Sequence, residues 1–102
     1  MITDKREVAP LHPGRVLALE FLEPLDLSGY KLARELHTNE QRVYAVLRGE
    51  RSISDDLAIR LGRCFGVEPE FFVNLQSRYD LEMEKMRIGR QVEDEVKPLA
   101  SA

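Results

Sequence analysis

Two short helical stretches lie three residues apart, and this spacing constrains the fold more than any other feature of the chain. The first starts at Ser28 and carries Leu32, Ala33 and Leu36 as its apolar stripe; the second follows His37-Thr38-Asn39 and carries Val43, Val46 and Leu47. Ser28 and Asn39 are natural caps, and Gly49 stops the second stretch. Two short helices joined by three or four residues, with a small residue where they cross, describe a helix-turn-helix. Ala33 is that small residue, and Val43 packs across from the second helix. The link needs one residue with positive φ. His37 takes that place, and histidine is among the few non-glycine residues enriched there. A plain helical hairpin in a bundle shares this pattern, so the spacing alone leaves both readings open.

The flanking sequence supplies three more helices. Pro10 and Pro13 bracket His12, a structural histidine, and a proline at the first helical position fits a helix starting at Pro13. Leu17, Phe21 and Leu22 share one face of it, and Pro24 ends it. Ser54 caps a fourth helix, with Asp55 and Asp56 favouring its positive end. Leu57, Ala58, Leu61, Cys64 and Phe65 give this helix a buried face, which makes Cys64 an inert core thiol, and Gly66 closes it. Pro69 opens a fifth helix whose stripe is Phe72, Leu75, Tyr79, Met83 and Met86. No segment alternates, so the expected class is all-α: five helices, the C-terminal one extended. Residues 1–11 are expected as a flexible segment, 12–88 as the domain and 89–102, acidic and holding Pro98, as a frayed tail.

Composition narrows the function classes. The chain has 102 residues, one domain's worth, and a net charge of -3. That argues against a histone-like coat for nucleic acid, although a local basic face is enough for a footprint. Charge is uneven. Three cations stand against five anions from Met1 to Leu27, seven against five from Ser28 to Arg63, and five against eight from Cys64 to Ala102. Six of the seven central cations are arginine, whose planar fork suits phosphates and guanine edges. The single cysteine allows no internal disulfide, and Cys64, His12 and His37 lack zinc-site spacing. No apolar run approaches the ~20 residues of a membrane span. Met1 to Glu7 has no apolar signal region, so the expected address is the cytoplasm. No paired carboxylates sit with a base and no nucleophile has a histidine at useful spacing, so no enzyme, metal or cofactor is expected.

If the pair is a helix-turn-helix, its second helix enters a major groove and presents Glu40, Gln41, Arg42, Tyr44, Ala45 and Arg48. Arg42 suits a guanine edge, Gln41 an adenine, and Glu40 can accept from a cytosine amino group. Ser28, Lys31 and Asn39 complete the contact set, with Arg51 in the following turn beside the phosphates.

Three stretches carry a family resemblance. They are His12-Pro13-Gly14-Arg15-Val16-Leu17 with Phe21-Leu22-Glu23-Pro24-Leu25; Leu32-Ala33-Arg34-Glu35-Leu36 through Arg48-Gly49-Glu50-Arg51-Ser52-Ile53-Ser54; and Leu61 to Gly66 with Pro69-Glu70-Phe71-Phe72-Val73-Asn74-Leu75-Gln76 and Tyr79-Asp80-Leu81. Together they resemble the HigA-type, VapI-like antitoxins of the Cro/repressor-like helix-turn-helix group over residues 12–81. Three positions depart from the usual pattern: Gly29 replaces a glutamine that touches DNA, His37 a glycine, and Phe72 a tryptophan.

The resemblance implies a five-helix protein that represses its own operon by binding a palindromic operator as a homodimer. It also implies that the protein silences a RelE-like mRNA endonuclease toxin. The fifth-helix stripe Phe72, Leu75, Tyr79, Met83 and Met86 is longer than one small core absorbs, so it is the expected dimer seam. A toxin that grips RNA should be basic, and the acidic N-terminal region with Glu7, Glu20 and Glu23 is the expected toxin-facing surface. The alternatives are a stand-alone transcriptional regulator on the same scaffold, and a helical interaction module that has lost DNA binding.

Overall fold

The computed structural model describes residues 10–100. It is all-helical within that span. α1 (Pro13–Leu17) runs into one π-helical turn (Ala18–Leu22), followed by α2 (Gly29–Leu36), α3 (Glu40–Leu47), α4 (Asp55–Phe65) and α5 (Pro69–Glu95). The expected helix starts and stops are met by local chemistry. Ser28 Oγ accepts from Lys31 N–H at 3.1 Å, Asn39 Oδ1 from Arg42 N–H at 2.8 Å and Ser54 Oγ from Leu57 N–H at 3.2 Å. His37 adopts the left-handed conformation (φ 55°) and ends α2, Gly49 (φ 78°) follows α3, and Gly66 (φ 71°) ends α4.

The core draws on every element. Leu17, Leu22, Leu32, Ala33, Leu36, Val43, Val46, Ile53, Leu57, Ala58, Leu61 and Phe72 are buried together. The π-helical turn inserts an extra residue, seen in Glu23 N–H donating to Ala18 O at 2.9 Å. Leu22 is then buried, while Phe21 packs against Phe65, Phe71 and Phe72 at ring-centre distances of 4.9, 5.9 and 5.4 Å. α1 lies unusually close to α3. A Cβ built on Gly14 would stand 1.8 Å from the Val46 carbonyl oxygen, so only glycine fits this crossing.

Three sequence expectations need correction. Phe72 is wholly buried and belongs to the monomer core, so it is not at the dimer seam. The periodic stripe continues, but the globule ends beneath it: Leu75 and Tyr79 are half-buried, and Met83 and Met86 lie in solvent at 39% and 50% exposure. Cys64 is exposed, because it sits over the C-terminal end of α2 beside Leu36 and His37, where no further element covers it. Partial burial, with Glu35 nearby, pushes its thiol above the ordinary value. The tail is not frayed from Gly89, since α5 runs on to Glu95. Helix-forming residues and pairs one turn apart hold it there: Glu82 with Lys85, Glu84 with Arg87, and Gln91 with Glu95.

Candidate nucleic-acid interface

α3 is a short rod held on one side. Val43 and Val46 face the core, which at 100° per residue leaves Gln41, Tyr44, Ala45 and Arg48 on the opposite face. Glu40 and Gln41 are exposed at its N-terminus. Ser28 and Lys31 are exposed on the first turn of α2, and Asn39 is exposed at the α3 cap. Arg51 is exposed beyond α3 and lines an open groove with Arg42, Ser52 and Ser54.

The side chains on this surface divide into free and committed groups. Arg42, expected at a guanine edge, is committed. Its guanidinium donates to Thr38 Oγ1 at 3.2 Å, to Asp56 Oδ2 at 2.9 Å and to Ser54 Oγ at 2.6 Å. Asp56 also accepts from Arg60 Nε at 3.2 Å, and Arg60 Nη1 donates to Leu36 O at 2.9 Å. Hydrogen bonds from Arg42 and then from Arg60 hold the Asp56 carboxyl below its ordinary range. Arg42 and Arg60, joined through this carboxylate, thus tie the turn, α3 and the end of α2 to α4. Arg42 points to the side of α3 and into that bracket, which is why it is not on the outward face.

Tyr44 is also committed. Its hydroxyl oxygen accepts from Tyr30 N–H at 3.1 Å, one of the donors that a helix start leaves without an intrahelical partner. Its ring occupies the space beside Gly29, where a Cβ would stand 2.8 Å from two ring carbons. The absent side chain at position 29 is therefore the counterpart of the tyrosine at 44. Arg48 forms a bidentate pair with Glu50, with both bonds 3.0 Å. This pair holds the Glu50 carboxyl low and the Arg48 guanidinium high. It is exposed, and an incoming anion can replace Glu50. Among the described residues, Gln41, Lys31 and Arg51 are left as the outward polar side chains without a hydrogen-bonded side-chain partner, with the Ala45 methyl between them on the same surface.

Sequence reasoning missed the Arg42–Asp56–Arg60 bracket and the close approaches at Gly14 and Gly29, which depend on tertiary placement. It also missed Gln76, a buried polar residue on α5. The Phe-x-Asn-Leu-Gln stretch was the available signal, but periodicity alone reads a glutamine there as solvated.

His12 is structural, as expected. It caps α1, with Nδ1 accepting from Gly14 N–H at 2.8 Å, and its ring stands edge-on to Tyr79 at 4.8 Å. Burial lowers its affinity for a proton, and Asp80 partly opposes this. The unfolded chain therefore binds the proton more readily than the folded one. Stability is full above the ordinary imidazole value of about 6.5 and is lost as pH falls through it toward the folded value. Urea unfolding of the parent at pH 7.5 and 5.5 should show the midpoint falling with pH. His12→Asn, which keeps a capping oxygen, should flatten that dependence. Equal slopes in parent and variant would assign the pH effect elsewhere.

The described residues contain no group of three or more His, Cys, Asp or Glu side chains placed to hold a metal, and no helix long and apolar enough to cross a membrane.

Comparison with known proteins places this architecture. The profile of the helix-turn-helix family matches residues 19–72. Virulence-associated protein I of Dichelobacter nodosus is 40% identical over 79 residues, covering 78% of this chain and 73% of that protein. Antitoxin HigA-1 of Vibrio cholerae is 30% identical over 95 residues, covering 93% and 89%. Among solved structures, the Pseudomonas aeruginosa antitoxin HigA with the higBA promoter superposes with a TM-score of 0.87 at 44% identity, covering 89% of this chain and 99% of that one. With its five helices, its left-handed turn at His37 and these relatives on both counts, the chain belongs to the helix-turn-helix family, within the group of HigA antitoxins.

Proposed function

We propose that the chain represses its own operon by placing α3 in the major groove of a palindromic operator, as a homodimer. It also neutralises a RelE-like mRNA endonuclease toxin. The observation that carries the DNA reading is the outward face of α3, with Gln41, Ala45 and Arg48 over a rigid bracket. Lys31 and Arg51 flank that face with the charge that phosphates require. Support comes from the relative solved with its promoter, at 44% identity over nearly its full length. Gln41 reads an adenine edge, and Arg48 reads a base or phosphate after releasing Glu50. Glu40 accepts from a cytosine amino group. Ser28, Asn39, Lys31 and Arg51 anchor the backbone, Tyr44 keeps α3 at its angle to α2, and Arg42 supports it from below.

A dimer places two such helices ~34 Å apart. Met83 and Met86, with the half-buried Leu75 and Tyr79, form the seam along α5. The toxin meets the acidic surface of the first helical segment, where Glu20 and Glu23 are exposed; Glu7 lies outside the described residues.

Three comparisons test this reading. Arg51→Ala should weaken binding to the DNA upstream of the gene evenly across sequences and flatten the salt slope by about one. Gln41→Ala should relax one base position at a cost of about 1–3 kcal/mol. Co-expression with the adjacent gene should rescue growth, and reversal of Glu20 and Glu23 should abolish rescue while sparing DNA binding. A neighbour with no toxicity would leave a stand-alone regulator. Failure of the parent to bind that DNA would leave a protein-interaction module.

A further inference from the structure

The loop after α3 carries Arg51 and Ser52 to the groove surface, yet it is secured from the far side of the molecule. Glu50 N–H and Arg51 N–H both donate to Ala45 O, at 2.8 and 3.3 Å, which ties the start of the loop to α3. The end of the loop is held by α5. Ile53 is buried at 4% exposure, and its N–H donates to Gln76 Oε1 at 2.8 Å. Gln76 is itself 6% exposed, and its Nε2 donates to Asp80 Oδ1 at 2.9 Å. The amide orientation is fixed by chemistry: Ile53 N–H offers only a donor and must meet the oxygen, leaving the NH2 for the carboxylate. A second tie runs alongside. The His12 ring, edge-on to Tyr79 of α5, also lies over Gly49, where an added Cβ would sit 3.5 Å from a ring carbon.

We propose that Gln76 is a positioning residue for DNA binding: from α5 it fixes the 49–53 loop so that Arg51 meets a phosphate. This rests on the operator-binding reading above. No base is read through Gln76. Without its oxygen, a buried N–H has no partner, and the loop end gains freedom that phosphate binding must then remove. The consequence falls on the sequence-independent part of binding.

The test is Gln76→Met, which keeps length and burial but removes both hydrogen bonds, beside Asp80→Asn, which keeps an acceptor for Nε2. Operator binding is titrated across salt concentrations, and amide hydrogen exchange is followed at Ile53, Arg51, Val43 and Val46. Gln76→Met should bind about tenfold more weakly, with a salt slope reduced by about one, the loss of one phosphate contact. Its base preference should be unchanged. Its Ile53 and Arg51 amides should exchange faster while Val43 and Val46 keep their protection. Asp80→Asn should stay near the parent. Parent-like affinity and slope in Gln76→Met would overturn the proposal. So would a rise in exchange shared by all four amides, which would make Gln76 a general stability residue. A parent that binds no operator overturns the functional reading itself, whereas a parent that binds while Gln76→Met matches it overturns only the positioning role.

Discussion

Gly14→Ala should be the most damaging single-methyl change in the protein. The new Cβ would lie 1.8 Å from the Val46 carbonyl oxygen and 2.8 Å from its carbon, both backbone atoms in the last turn of α3. No side chain can turn aside to make room, so α1 and α3 must separate. Overpacking of this kind costs at least the upper end of the usual range, about 3 kcal/mol. For a domain of this size that lowers the melting temperature by roughly 12 °C or more. Because α3 is displaced, operator affinity should fall further than lost stability alone explains. Gly89→Ala is the matched control. A Cβ there meets nothing within 4 Å, and the position is helical, so this change should stabilise by about 0.5–1 kcal/mol. Thermal melts of the two variants should move in opposite directions. A Gly14→Ala melt at or above the parent's would mean that α1 does not approach α3 as described.

Met83→Glu combined with Met86→Glu should produce the second large effect, and it should leave the fold alone. Both residues are exposed on α5 beyond the globule, so stability should change by no more than about 0.5 kcal/mol. Two pairs of facing carboxylates in an apolar seam should prevent dimerisation. Linked half-site contacts gain about 10²–10⁴ in avidity over separate ones, and the variant should lose a factor of that order on a palindromic operator. On a single half-site it should match the parent. Sedimentation reads the assembly and anisotropy reads the binding. A parent that stays monomeric at tens of micromolar would remove the seam.

What the sequence disclosed follows from the range over which each force acts. Ser28, Asn39 and Ser54 were legible as caps because a cap is satisfied within three residues. His37 was legible because the turn needs positive φ and few residues supply it. The intramolecular engagement of Arg42 is not legible, for the opposite reason. Its partners Ser54 and Asp56 are 12 and 14 residues away, on a helix whose docking the local pattern does not reveal. Gly29 stands where the resemblance expects a glutamine that touches DNA, and the sequence alone does not show that the Tyr44 ring fills the space beside it. The α5 stripe was read correctly as apolar, but periodicity cannot mark where the globule ends. Periodicity therefore groups Phe72 with Met83 although one is core and the other solvent-facing. Acidity points to a frayed tail, while pairs such as Glu84 with Arg87 sustain the helix regardless of net charge.

In the proposed function α3, flanked by Lys31 and Arg51, reads the DNA upstream of this gene. The most direct measurement is fluorescence anisotropy with a labelled duplex from immediately upstream of the gene, against a scrambled duplex of equal length, at 50 and 200 mM salt. Binding should be saturable and at least about 10³-fold tighter to the upstream duplex, weakening steeply with salt on both. Gln41→Ala should narrow the gap between the duplexes, and Arg51→Ala should weaken both equally. Equal affinity of the parent for the two duplexes would contradict this role of α3.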